Sequence, residues 1–240
     1  MGGRSQETRE PTQAVELGVT MNLLDGLDYY KQYSDSDWEF TLKVENSAVK
    51  VSESISLLGS QPNASALAAA HQLLMDIELW KASCLKDLTG YAVQNSEQAV
   101  WNAFCDAMNA RTDLNALRAI IQLKGFGSFP DEEFGGQRPA KRATAVLRMF
   151  KPMEWGVVDW RIAAMLGHLN DSNWDVDQAI VRAKKENADE LRETFKMINE
   201  DGACAYNQMY RHRRSPPSFP RTADVEMAIF GLSLMAWPMP

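Results

Sequence analysis

Apolar positions recur at helical spacing along most of the chain. Asp37 to Leu58 reads as a helix of mixed polarity. Asn63 is placed to cap a helix that carries Leu67, Ala70, Leu74 and Ile77 on one face. A further helix spans about Ser96 to Asn109, with Val100, Phe104 and Met108 spaced by four. Asp113 falls in the first turn of a short helix carrying Leu114, Leu117 and Ile121, which ends near Lys124-Gly125. The segment Ala140–Phe150 places Ala143, Val146, Leu147 and Phe150 at i, i+3, i+4 and i+7, and Pro152 ends it. Asp159 opens a helix with Ile162, Met165 and Leu166. A long helix or helix pair is expected from Val176 to Glu200, broken at Asp201-Gly202. Ser215 to Pro220 must be extended, and Thr222 is placed to cap a last helix that buries Val225, Ala228, Ile229 and Leu232.

Val, Ile and Thr rarely alternate with polar residues, so the expected fold class is all-α. Apolar residues make up 45% of the 240 positions, enough for a sizeable core. One helical domain over residues 14–240 is expected, preceded by a flexible, polar stretch at 1–13. No apolar run approaches the roughly 20 residues that cross a bilayer, and no secretion pattern opens the chain. The expected location is cytoplasmic, in association with the nucleoid, and the expected state is monomeric.

Three separated cysteines, Cys84, Cys105 and Cys204, exclude a four-cysteine iron–sulfur cluster and argue against a disulfide scaffold. His71, His168 and His212 are equally scattered, so neither metal nor cofactor is expected. The net charge of −7 speaks against a general nucleic-acid coat. Its distribution changes that picture. Five basic residues and no acid lie between Arg138 and Lys151, and four arginines plus His212 lie between Asn207 and Arg221. Two such stretches can supply one phosphate-binding face on an acidic protein.

The chemistry concentrates in residues 112–167. The order there is helix, glycine turn, basic helix, short loop, aspartate, helix. A glycine turn brings backbone N–H groups close to a phosphate, and basic side chains hold a nucleic-acid backbone without reading sequence. Gly125-Phe126-Gly127 is one candidate turn and Gly135-Gly136 a second, with Asp131, Glu132 and Glu133 between them. Gly125, Gly127, Gly135, Gly136, Arg138, Arg142 and Arg148 are the candidate DNA contacts.

This segment resembles the helix-hairpin-helix DNA glycosylase superfamily, and looks closest to its 8-oxoguanine and endonuclease-III-like branch. The likeness rests on Lys141-Arg142-Ala143, on Lys151-Pro152, and on Val157-Val158-Asp159, with 18 positions from Lys141 to Asp159. It covers about 50 residues. An insertion from Ser128 to Pro139 departs from the family's short hairpin. The resemblance implies a two-lobed helical glycosylase domain acting on double-stranded DNA that contains a modified base. It makes Asp159 the essential carboxylate and Lys141 the nucleophile of a Schiff-base lyase. Trp155 and Trp160 become candidates for the base pocket, and Phe126, Phe129 or Phe134 for a wedge into the duplex. The biological setting implied is base-excision repair or defence against modified phage DNA. A helix-hairpin-helix protein that grips DNA without chemistry is the alternative.

Overall fold

The computed structural model describes residues 21–33, 35–83, 90–128, 138–169, 175–214 and 218–238. Among them are eleven α-helices and no β-strand. In chain order these are α1 (Leu23–Tyr33), α2 (Asp35–Leu58), α3 (Ala64–Ser83), α4 (Glu97–Asn109), α5 (Asp113–Ile121) and α6 (Lys141–Phe150). They continue with α7 (Trp160–Leu169), α8 (Val176–Ala183), α9 (Ala188–Thr194), α10 (Glu200–His212) and α11 (Thr222–Ala236). None of these helices is long and apolar enough to cross a membrane.

Local chemistry explains most of the helix starts. An initial helical turn leaves its N–H groups without partners, and a short polar side chain at the N-cap satisfies one of them. Asn63 accepts from the amide of Ala66 at 2.9 Å, as its position before the apolar stripe predicts. Ser96 accepts from Ala99 and Thr112 from Asn115, each at 3.2 Å. Leu117 and Ile121 of α5 are buried, as are Ala70, Leu74 and Ile77 of α3 and Val100 and Phe104 of α4.

Two boundaries differ from expectation. The stretch from Val176 to Glu200 does hold the expected helix pair, α8 and α9, and ends on the first residue of α10. Asp201-Gly202 does not break it but lies in the first turn of α10, where Asn199 accepts from the amide of Gly202 at 2.9 Å. An N-cap asparagine suffices to restart the chain there, and one glycine in a first turn costs little. At α11 the cap position belongs to Arg221, whose amide donates to Asp224 at 3.1 Å; Thr222 instead donates its hydroxyl to the Met153 carbonyl at 2.8 Å. Helix α1 has no counterpart in the expected elements.

A contiguous apolar core joins these elements. Helices α1 and α11 cross so closely that a Cβ on Gly231 would overlap the carbonyl of Gly26. Helices α5 and α6 pack on one another, α3 packs on both α2 and α6, and α7 packs on α11. Lys141 lies at the start of α6 and Asp159 just before α7, and a hydrogen bond from the Val158 amide to Thr144 ties the two segments together.

Candidate active site around Lys141 and Asp159

The helix–turn–helix passage begins with α5. Past its end, Gly125 and Gly127 adopt positive φ of 80° and 144°. Side chains rarely enter that region, and a Cβ on Gly125 would lie 2.1 Å from Tyr91 Cβ. The turn closes on itself: the Gly125 amide donates to Ser128 at 2.8 Å, and the Phe126 amide to Leu123 at 3.1 Å. Gly125 therefore spends its donor within the turn and not on a phosphate, which corrects its expected role. Gly127 is buried beside it, against Ile121. Phe126 is a core residue and not a wedge. Gly135, Gly136, Phe129 and Phe134 lie outside the described residues.

Lys141 is the first residue of α6. Its Nζ donates to the carbonyl of Phe195 at 3.3 Å. Burial lowers its pKa to about 8, the nearby Lys81 pushes in the same direction, Asp159 opposes, and Arg142 and Lys196 add to the lowering. An ordinary lysine is almost wholly protonated at neutral pH, so this one carries a substantial free-amine fraction at slightly alkaline pH.

Asp159 has both oxygens engaged. Oδ1 accepts from the Ile162 amide at 3.1 Å, capping α7, while Oδ2 lies 3.4 Å from Lys81 Nζ. The cap and the ion pair thus use different oxygens. The loop ahead of it is braced on both sides. The Val158 amide donates to Thr144 Oγ1 at 3.0 Å, and that hydroxyl donates to the Lys141 carbonyl at 2.7 Å. Tyr210 donates to the Val157 carbonyl at 2.7 Å, and Gly156 donates to Asn207 at 3.2 Å. Rigid support of this kind holds a carboxylate in register. Burial also raises the carboxyl of Glu226 to about 7 against the pull of Arg148 and Lys81, with Asp159 adding to the rise.

Several expected site residues are elsewhere. Arg148 is wholly buried, with Glu45 at 2.5 Å and Glu226 at 3.6 Å, and its guanidinium lies over Trp80. It cannot touch DNA from that position. Trp155 is wholly buried, and Trp160 is 8% exposed, packed against Trp237, Arg161 and Arg192. Neither lines an open base pocket. Arg142 faces inward toward Glu78 at 3.9 Å and the Gly125 carbonyl at 3.5 Å, whereas Arg138 is exposed just ahead of α6. The arginines of the second basic stretch are half-exposed and engaged within the chain. Arg211 pairs with Asp113 at 2.7 Å, Arg221 with Glu45 at 3.0 Å, Arg214 donates to the Met153 and Pro220 carbonyls, and Arg213 to that of Met209.

Sequence reasoning missed Lys81, Thr144 and Glu226. No local pattern marks them, because each reaches the site only through packing of α3, α6 and α11. A groove of about 540 Å³ opens between Val49, Leu57, Met149 and Phe150. It lies at the other end of α6 from Lys141, roughly 12 Å along the helix axis. Among the described residues, no group of three His, Cys, Asp or Glu side chains is arranged to hold a metal ion. No family model matches the chain, and neither the curated proteins nor the solved structures provide a match.

Proposed function

We propose that this chain is a DNA glycosylase that excises a modified base from double-stranded DNA. The observation that carries the reading is the braced carboxylate of Asp159, held by the Ile162 amide and Lys81, within electrostatic reach of a Lys141 amine lowered to about 8. Cleaving an N-glycosidic bond builds positive charge on the sugar, and a fixed carboxylate stabilises it. In the hydrolytic reaction Asp159 positions the attacking water, the base leaves, and the sugar keeps a hydroxyl. The free amine of Lys141 supports a second route. It adds to the sugar C1′ as the base departs and loses a proton; the C1′–O4′ bond then breaks, the ring oxygen takes up a proton, and the resulting Schiff base is open to strand cleavage.

The target base must leave the stack before either step. Trp155 and Trp160 do not receive it, because both are packed in the core. Base-excision repair and defence against modified foreign DNA both require this chemistry.

The test is a base-release screen over duplexes that carry oxidised, alkylated, deaminated and phage-type bases, read by mass spectrometry of the freed base. Release of a base that is lost in Asp159→Asn supports the reading. Asn caps a helix about as well as Asp, so a fall of about 10²-fold or more would report chemistry and not unfolding. Salt-sensitive duplex binding with no base released from any substrate would replace the reading with a DNA-binding protein that performs no chemistry.

A further inference from the structure

Lys81 projects from the last turn of α3, far in sequence from the segment that carries Lys141 and Asp159. Its side chain and that of Asp159 are each 17% exposed, and their charged atoms stand 3.4 Å apart. With Oδ1 of Asp159 committed to the Ile162 amide, Lys81 occupies the remaining oxygen. Lys141 consequently has no hydrogen bond to the carboxylate and turns its Nζ to the Phe195 carbonyl.

We infer that Lys81 is a positioning residue: it engages the free oxygen of Asp159 and so prevents a Lys141–Asp159 ion pair that would hold the nucleophile protonated. This role rests on the glycosylase reading for its purpose, but not for its measurement. Two amines compete for one carboxylate oxygen. An amine that holds this oxygen is favoured in its charged form, and one denied it lacks that support. The charge of Lys81 disfavours a second cation close by, so both effects act in the same direction. The groups facing Lys141 are Lys81 from α3, Asp159 ahead of α7, Arg142 from α6 and Lys196 after α9. Asp159 is in turn neighboured by Glu226 of α11 and Tyr210 of α10.

Removing Lys81 frees Oδ2 for Lys141 and removes a repelling cation. The amine of Lys141 then titrates higher. The experiment is competitive acetylation of the full chain with trace isotopic acetic anhydride across pH 6 to 11, with peptide mass spectrometry reading Lys141 against the exposed Lys184. In the unaltered protein the midpoint for Lys141 is expected near 8. In Lys81→Met it should rise by about 1–2 units, and Lys81→Arg, which keeps the cation, should remain near the original value. A midpoint unmoved or lowered in Lys81→Met, or raised equally in Lys81→Arg, would overturn the inference. Cooperative thermal melting confirms that each variant is folded at the assay temperature, and Lys81→Gln repeats the test if the Met variant is not. No DNA enters this measurement. Failure to release any base would therefore defeat the proposed activity while leaving the titration result standing, and an unmoved midpoint would do the reverse.

Discussion

The hydroxyl of Thr144 accepts the Val158 amide at 3.0 Å, so the helix that begins with Lys141 directly braces the loop that ends with Asp159. The same hydroxyl donates to the Lys141 carbonyl at 2.7 Å. One buried side chain therefore links the backbone segments that carry both candidate groups. Thr144→Val keeps the shape but leaves the Val158 amide without its acceptor, a loss of about 1–3 kcal/mol in urea unfolding. Base release should fall with it, and Thr144→Ser should restore most of both. Full activity in Thr144→Val would show that the brace is dispensable.

Schiff-base chemistry should depend on pH through Lys141. The reactive form is the neutral amine, and its pKa is lowered to about 8. Borohydride trapping of a covalent DNA adduct should therefore be low at pH 6, rise through pH 8 and level off above it. Lys141→Gln should abolish the adduct while hydrolytic base release persists. Trapping that is flat across this range, or that survives in Lys141→Gln, would assign the nucleophile elsewhere.

Arg148 should matter to folding and not to DNA. It lies wholly buried between Glu45 and Glu226. Removing one partner of such a group leaves uncompensated buried charge, so Arg148→Ala should cost about 3–5 kcal/mol in a denaturant titration. For duplex binding the sensitive change is Arg138→Ala, at an exposed position. It should reduce the slope of log affinity against log salt by about 1. An Arg148 variant that folds normally but loses DNA binding would reverse this assignment.

Glu226 should make stability decline as pH rises. Its carboxyl is raised in the folded protein from 4.5 to about 7, so between those values the folded state holds more protons than the unfolded state. Unfolding free energy therefore falls as pH climbs through this window, by an amount on the order of 3 kcal/mol. Below about 4.5 the penalty is absent, and above about 7 it is fully present. Glu226→Gln should flatten this part of the stability–pH curve, which equilibrium urea unfolding at stepped pH would reveal.

The helix start was legible at Asn63, where a short polar cap precedes a regular apolar stripe, whereas the helices that Ser96 and Thr112 cap were read from apolar spacing. Both signals are local. The environment of a charge is not local, and there the sequence was a poor guide. Arg148 looks like any cation in a basic helix until Glu45 of α2 and Glu226 of α11 close around it. Arg211 and Arg221 look like a phosphate-binding strip, yet they meet Asp113, Glu45 and Asp224. Trp155 and Trp160 flank Asp159 in sequence, but an extended loop sends neighbouring side chains in different directions, and both tryptophans enter the core. Lys81 stayed invisible because its meaning comes entirely from Asp159, whose oxygen it reaches across the fold of the chain.

The near contact of Gly26 on α1 with Gly231 on α11 has a consequence for how the protein is made. During synthesis the partner of α1 emerges roughly 200 residues later, about 10–40 s at ordinary elongation rates. For that interval the apolar side of α1, including Leu27 and Tyr30, has no α11 to cover it. The contact is closed by a helix translated long after α1. Native docking of α1 must therefore follow translation of the helices between them, and a bulky side chain at either glycine would strike at that late contact.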